Sequence, residues 1–258
     1  MKRPPKKDKH LPRNRFALGF SIANGNLHFM NCVVTAGPTY EPLDEVRRLI
    51  NFSTGRLGTE LANYLVTHGH NVTLLLGHQA TWRVANQAQK TIAFTTTTDL
   101  HDRLKSLAAG AIDAVFHAAA VSDFGFGKIY RRLPNGDLEE VRSGKISSRL
   151  GPLLAELVAT PKIISALRQW FPEACLIGWK YEMDGDRTDA IAEGEKQIRD
   201  TRVNACVVNG RAYGHGFGLV SSAAKCLHFK DSEQLFAELE RFASAPPPGL
   251  PGRSSTPP

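Results

Sequence analysis

From Met30 onward the chain alternates short apolar, β-branched runs with segments whose apolar residues recur every three to four positions. That alternation marks βαβ units and a parallel sheet buried on both faces. The apolar runs predict strands over 32–35, 71–76, 92–95, 114–117, 176–179 and 205–208. Helical spacing predicts helices over 54–67, 100–108, 161–171, 189–200 and 233–242, with Ser53, Asp99, Thr160 and Ser232 in N-cap positions. The fold class implied is α/β: a Rossmann-like three-layer sandwich with a mostly parallel sheet.

One stretch breaks the alternation. Residues 129–132 and 138–142 flank Leu133-Pro134-Asn135-Gly136-Asp137, and Asn-Gly is the preferred pair of a tight hairpin turn. A β-hairpin is expected to project here as a flap or dimer arm over the carboxyl ends of the parallel strands, with Ile129, Tyr130 and Leu133 as apolar residues to bury.

Composition narrows the picture. The chain has 258 residues, 42% hydrophobic and 22% charged, which fits a globular domain. No apolar run reaches the roughly 18 residues of a membrane span, and the basic N-terminus leads into no apolar signal segment, so the cytoplasm is the expected compartment. The net charge of +7 suggests nucleic acid until it is located: residues 1–29 carry a surplus of +6 and Arg253 one more, leaving 30–244 without net charge. No nucleic-acid partner and no membrane partner are expected. Residues 1–29 read as a disordered or non-native basic arm, 30–244 as the folded domain, and the Pro-rich 245–258 as a disordered tail. Cys32, Cys175, Cys206 and Cys226 show no paired spacing and read as buried thiols.

Candidate chemistry lies after the first strand. Thr35-Ala36-Gly37-Pro38-Thr39 occupies the loop where α/β proteins handle phosphates, and Asn51-Phe52-Ser53-Thr54-Gly55-Arg56-Leu57-Gly58 opens a helix. Hydroxyls, a glycine and unpaired backbone N–H groups at a helix's positive end form an anion seat, while Gly58 suits tight packing on the sheet. Familiar nucleotide signatures are absent. GxxxxGK[ST] does not occur, the 71–76 strand ends Leu76-Gly77-His78 without a ribose-binding acid, and no tyrosine begins a Tyr-x-x-x-Lys pair.

The run from Thr35 to Thr39, then Glu41-Pro42-Leu43-Asp44, Val46-Arg47 and Asn51 to Gly58, closely resembles the phosphopantothenate–cysteine ligase family. Ala118-Ala119-Ala120-Val121-Ser122-Asp123-Phe124 is similar to that family's loop after its central strand. Lys145-Ile146-Ser147-Ser148, Gly151-Pro152-Leu153, Pro161-Lys162, Gly178-Trp179-Lys180-Tyr181-Glu182 and Val208-Asn209 follow in order. The resemblance implies a ligase of coenzyme A synthesis that joins 4′-phosphopantothenate to L-cysteine with ATP or CTP and Mg2+, working as a homodimer.

By that resemblance Asn51, Lys145 and Arg47 are catalytic, with Asn51 and Arg47 also holding substrate. Gly37, Ser53, Thr54, Gly55, Ala119, Ala120, Asp123, Phe124, Lys145, Lys180 and Asn209 would bind the nucleotide, and no side chain is assigned as a metal ligand. Lys180 ends an apolar strand and needs a counter-charge, for which a phosphate is the expectation. Departures also stand out. Thr160-Pro161-Lys162 replaces the usual bacterial Asn-Pro-Asp, and Gly210 stands where an aspartate is usual; these and the strand lysine look more like the eukaryotic type and favour ATP over CTP. No decarboxylase domain precedes the ligase motifs, so a free-standing ligase is expected. A nucleotide-binding paralogue without ligase activity and an NAD(P)-dependent reductase are the alternatives.

Overall fold

The computed structural model describes residues 29–221 and 226–245. The expected arm and tail lie outside the described residues, apart from Phe29 and Ala245 at their edges.

The chain opens with β1 (Asn31–Ala36), the short hairpin β2 (Tyr40–Pro42) and β3 (Arg48–Ile50), and then α1 (Arg56–Thr67). β4 (Asn71–Gly77), β5 (Lys90–Phe94), α2 (Thr97–Leu107) and β6 (Ala114–His117) follow. β7 (Phe124–Arg132), β8 (Leu138–Glu140) and β9 (Leu153–Ala159) form a separate antiparallel sheet in the order β8-β7-β9. The chain then returns through α3 (Ile163–Trp170), β10 (Cys175–Tyr181), α4 (Arg187–Thr201), β11 (Ala205–Asn209), β12 (Phe217–Ser221), β13 (Leu227–Phe229) and α5 (Ser232–Ser244).

The main sheet has the order β13-β12-β11-β10-β6-β1-β4-β5. Its strands are parallel from β5 to β11, and β12 and β13 close the edge antiparallel. Alternation along β1 explains the three layers. Cys32, Val34 and Ala36 pack with Leu61 and Leu65 of α1 and Leu235 and Leu239 of α5. Val33 packs on the other face with Leu100 and Leu104 of α2 and Ile163 and Leu167 of α3. Both faces are buried, which is why the strands read as nearly continuous apolar runs. Among the described residues no helix is long and apolar enough to cross a membrane.

The six predicted strands and five predicted helices are present, with differences at their ends. The α1 cap is Gly55 in the left-handed region (φ 78°), not Ser53, because the Thr54 carbonyl is taken by the Thr81 and Trp82 N–H groups. Thr96, not Asp99, caps α2; Asp99 instead accepts from Thr95 N–H at 2.8 Å. The Thr160 hydroxyl donates to the Ser122 carbonyl rather than capping α3, and Asp231 rather than Ser232 caps α5. The hairpin is also corrected. Gly136 N–H donates to Leu133 O at 2.9 Å and Gly136 has φ 90°, so Pro134 and Asn135 are the central turn residues and Asn-Gly does not form the turn alone. Ile129 is already buried at 7% exposure, so it is not available to an interface.

The thiols are quiet. Burial pushes Cys32 well above the ordinary thiol range and Cys175 and Cys206 up to about 12, which suppresses the thiolate a nucleophile requires.

Gly58 fixes how closely α1 approaches β1. A Cβ there would lie 2.6 Å from Ala36 Cβ and 2.9 Å from Thr35 O, both on the strand. Gly58→Ala is expected to destabilise the fold by about 1–3 kcal/mol, read by urea denaturation.

His117 supplies a pH signature. It is 6% exposed, and burial pushes its pKa down to about 4. Between pH 6.5 and 4 the unfolded chain takes up a proton that the buried ring refuses, so the contribution is complete above pH 6.5 and is lost as pH falls through that window. At pH 4.5 the loss should be about 2–3 kcal/mol larger in the parent than in His117→Leu, measured by denaturation at pH 7 and 4.5.

Candidate active site

The sheet order places the switch of winding direction between β1 and β6. From β1 the chain winds outward through β4 and β5, then returns to β6 on the other side and continues to β10. Loops leaving β1 and β6 therefore diverge and leave a crevice at the strands' carboxyl ends, the usual ligand position in open α/β sheets. A cleft of about 530 Å3 lies there, lined by Ser53, Thr54 and Gly55 before α1, Ala118 after β6, Tyr181 and Asn209 at the ends of β10 and β11, and Phe217, Asp231 and Ser232 opposite.

Its electrostatics come first from helix ends. Arg56 N–H is satisfied by Thr54 Oγ1 at 3.2 Å and Thr59 N–H by Gly55 O. Leu57 and Gly58, which also line the cleft, have N–H groups with no protein acceptor among the described residues. Two such donors at the positive end of α1 make the anion seat that the sequence suggests. The lining side chains add no positive surplus: Arg56 is paired with Glu60 at 3.0 Å, and Asp231 is acidic.

The two glycines read as phosphate-handling have a structural cause as well. Gly37 and Gly55 have φ 82° and 78°, and a Cβ on either would lie 3.0 Å from Ala80 Cβ. The loop after β4 thus packs directly on them. Gly55 borders the cleft, while Gly37 lies behind it, against Gly55 and Ala80.

Asn51 is held beside this seat. Its Nδ2 donates to Ala120 O at 3.4 Å, while Ala120 O also accepts Thr39 N–H at 3.1 Å and Ala120 N–H donates to Gly37 O at 3.0 Å. The loop carrying Ala119 and Ala120 is thereby tied to β1's loop and to Asn51. Ser122 extends the tie, since its N–H donates to Thr39 Oγ1 at 2.8 Å.

Asn51, Ala119 and Ala120 do not themselves line the cleft, and other predicted residues sit farther along the chain from it. Arg47 donates to Asp44 and, at 2.7 Å, to Ile146 O; its guanidinium holds the Asp44 carboxyl well below the usual carboxylate range. Ile146 N–H donates to Asp44 at 3.1 Å, so the Lys145 segment is fastened to the β2–β3 hairpin. Lys145 is exposed and has no carboxylate partner among the described residues. Asp123 is paired with Lys162, and Phe124 begins β7 half-exposed. Lys180 is met by Glu182 just after β10 at 3.3 Å and by Glu193 of α4 at 3.6 Å, which supply the counter-charge that the sequence assigned to a phosphate.

Sequence reasoning missed Phe52, Ala118, Tyr181, Phe217 and Asp231 as cleft residues. Phe52, Ala118 and Tyr181 lie inside the quoted motifs, but nothing in the motif residues themselves marks them as facing the cleft. Phe217 lies on β12, for which the sequence predicts no strand, while Asp231 stands between a strand and the last helix, a position that marks it as a cap candidate.

The family model described as the DNA/pantothenate metabolism flavoprotein C-terminal domain matches residues 27–245. The coenzyme A biosynthesis bifunctional protein CoaBC of Thermococcus kodakarensis is 31% identical over 184 residues, covering 70% of this chain and 42% of that protein. The chain spans about half the length of the curated relatives it matches, or somewhat less. Among solved structures, the DNA/pantothenate metabolism flavoprotein from Streptococcus pneumoniae superposes with a TM-score of 0.71 at 24% identity, covering 83% of this chain and 99% of that one. A Cab2 mutant in complex with phosphopantothenate-cysteine superposes with a TM-score of 0.62 at 17% identity, covering 83% of this chain and 86% of that one. The chain belongs to the DNA/pantothenate metabolism flavoprotein C-terminal domain family, in keeping with the ligase motifs in its sequence.

Proposed function

We propose that this protein is a phosphopantothenate–cysteine ligase, joining the carboxylate of 4′-phosphopantothenate to the amine of L-cysteine. The observation that carries the reading is the Asn51 amide held at Ala120 O, on the segment that leads directly into the cleft-lining Phe52–Gly58 stretch and its unpaired N–H groups. The relative solved with phosphopantothenate-cysteine supports it through the shared fold.

Two steps follow from the chemistry. A carboxylate oxygen attacks the nucleotide's α-phosphorus, the bond to the β-phosphate bridge breaks, and pyrophosphate leaves. The cysteine nitrogen then attacks the acyl carbon, the acyl–phosphate C–O bond breaks, nucleoside monophosphate leaves, and the amine's proton passes to solvent. Positioning and charge stabilisation are the protein's share. Leu57 and Gly58 N–H groups face phosphate oxygens, and Asn51 donates to the carbonyl oxygen as it gains charge. Arg47 suits an anionic group of phosphopantothenate once released from Asp44, and Lys145 closes over the triphosphate. Gly37, Ser53, Thr54, Gly55, Ala119, Ala120, Asp123, Phe124, Lys180 and Asn209 keep their family roles around the nucleotide as part of this proposal, with Lys180 reaching it only by leaving its carboxylates.

Among the described residues no group of three His, Cys, Asp or Glu side chains could hold a metal. In this reading Mg2+ would be held chiefly by the triphosphate's oxygens, neutralising their charge; the cleft carboxylates Glu60 and Asp231 are engaged with Arg56 and the α5 N-terminus. ATP is the preferred nucleotide in this reading, from the Pro161-Lys162 and Lys180 features.

Pure protein incubated with phosphopantothenate, cysteine, Mg2+ and either ATP or CTP should yield the amide by mass, faster with ATP; no amide with either nucleotide would overturn the ligase reading. Asn51→Ala should still release pyrophosphate without cysteine but form amide about 100-fold more slowly, corresponding to about 3 kcal/mol for one oxyanion donor. Lys145→Gln should instead slow pyrophosphate release.

A homodimer is part of the proposal, and exposed apolar side chains on β3 and β9 are available to it besides the hairpin. Leu49 and Ile50 on β3 and Leu154, Leu157 and Val158 on β9 are exposed at 38–56%. Burial of these side chains would favour association. Light scattering should give twice the chain mass, and Leu157→Arg should shift it toward the monomer.

A further inference from the structure

His117 ends β6 beneath the cleft, and neither proposed step uses it. It pairs across the sheet with Thr35 of β1 and Gly178 of β10. Its Nδ1 lies 3.0 Å from Thr35 Oγ1, which also accepts the Ala119 N–H at 3.1 Å. A threonine hydroxyl has one proton, and Thr35 Oγ1 has no other bonded acceptor among the described residues. Thr35 is fully buried, so the arrangement that satisfies its hydroxyl sends that proton to Nδ1, with the neutral ring's own proton on Nε2; we adopt that tautomer. The histidine thus fixes the direction of the hydroxyl and leaves an oxygen lone pair for Ala119 N–H. The next residue along, Ala120, takes Asn51 Nδ2 on its carbonyl at 3.4 Å. A bond of that length lies near the limit of useful geometry, so a displacement of a few tenths of an ångström in the loop breaks it.

We propose that His117 is a positioning residue for Asn51, acting through the Thr35 hydroxyl and the Ala119–Ala120 backbone. The inference deepens the ligase reading and rests on it for its kinetic consequence. Asn51 needs its amide aimed at the reacting acyl oxygen only in the second step, so His117 matters for cysteine transfer and little for nucleotidylation.

The test uses His117→Leu, which removes the acceptor, and His117→Asn, whose amide oxygen can stand near the Nδ1 position. Thr35→Val removes the hydroxyl at similar volume and serves if the leucine variant does not fold. His117→Leu or Thr35→Val should lower kcat for amide formation about tenfold, with pyrophosphate release in the absence of cysteine kept within about twofold; His117→Asn should restore most of the rate. A merely structural histidine would depress both steps together or neither, and the asparagine would not rescue selectively. Either result overturns the inference.

A second readout is independent of catalysis. The side-chain amide cross-peaks of Asn51, identified by their loss in Asn51→Ala, should move in His117→Leu and Thr35→Val and stay near their parental positions in His117→Asn. Unmoved peaks in both acceptor-removing variants overturn the positioning role even in an active ligase. Moved peaks in a protein without ligase activity would leave the positioning intact and remove the ligase reading instead.

Discussion

The architecture depends on the tie between two loops that the sheet drives apart. Winding outward from β1 and then back to β6 opens a crevice in the middle of the sheet. Reciprocal bonds of Gly37, Thr39 and Ala120 close its base, since Ala120 N–H donates to Gly37 O and Thr39 N–H donates to Ala120 O. Without that closure the Asn51 amide would have no fixed acceptor, and α1 would point its free N–H groups at an undefined space. Gly58 adds the depth of the seat by letting α1 sit directly on β1.

Charge is divided between fixed and adjustable parts. The fixed part is the α1 terminus, which requires no rearrangement when an anion arrives and whose positive end comes from backbone N–H groups rather than from Arg56, which Glu60 pairs. The adjustable part lies on the inserted β7–β9 unit and the segment after β8, where Lys145 is exposed and its neighbours are latched to Asp44. The proposed triphosphate co-substrate would draw on both parts. Arg47 and Asp44 form the latch between them, so release of Arg47 to an anion and freedom of the Lys145 segment are coupled by the same carboxylate.

Much of this was legible in the sequence. Strands buried on both faces write themselves as apolar runs, and β1, β4, β6, β10 and β11 were read within a few residues of their bounds. The Ser53–Gly55 stretch and Asn209 reach the cleft because motif spacing carries local geometry. What failed depends on partners far along the chain. No element is predicted over Leu153–Ala159, whose Leu, Ala and Glu residues do not favour a strand, yet it becomes β9 because β7 offers an open edge. Gly218 and the shortness of Leu227–Phe229 hid the antiparallel edge strands. The Glu193 that neutralises Lys180 comes from the next helix, and nothing local announces the pairing.

The central claim, that phosphates are received by the α1 terminus in the crevice between β1 and β6, is open to direct measurement. Backbone amide resonances of Leu57 and Gly58, followed while Mg·ATP is titrated into labelled protein, should move saturably, with Asn51 among the responding neighbours once phosphopantothenate is added. A saturable titration in which Leu57 and Gly58 stay still while resonances elsewhere respond would contradict the account.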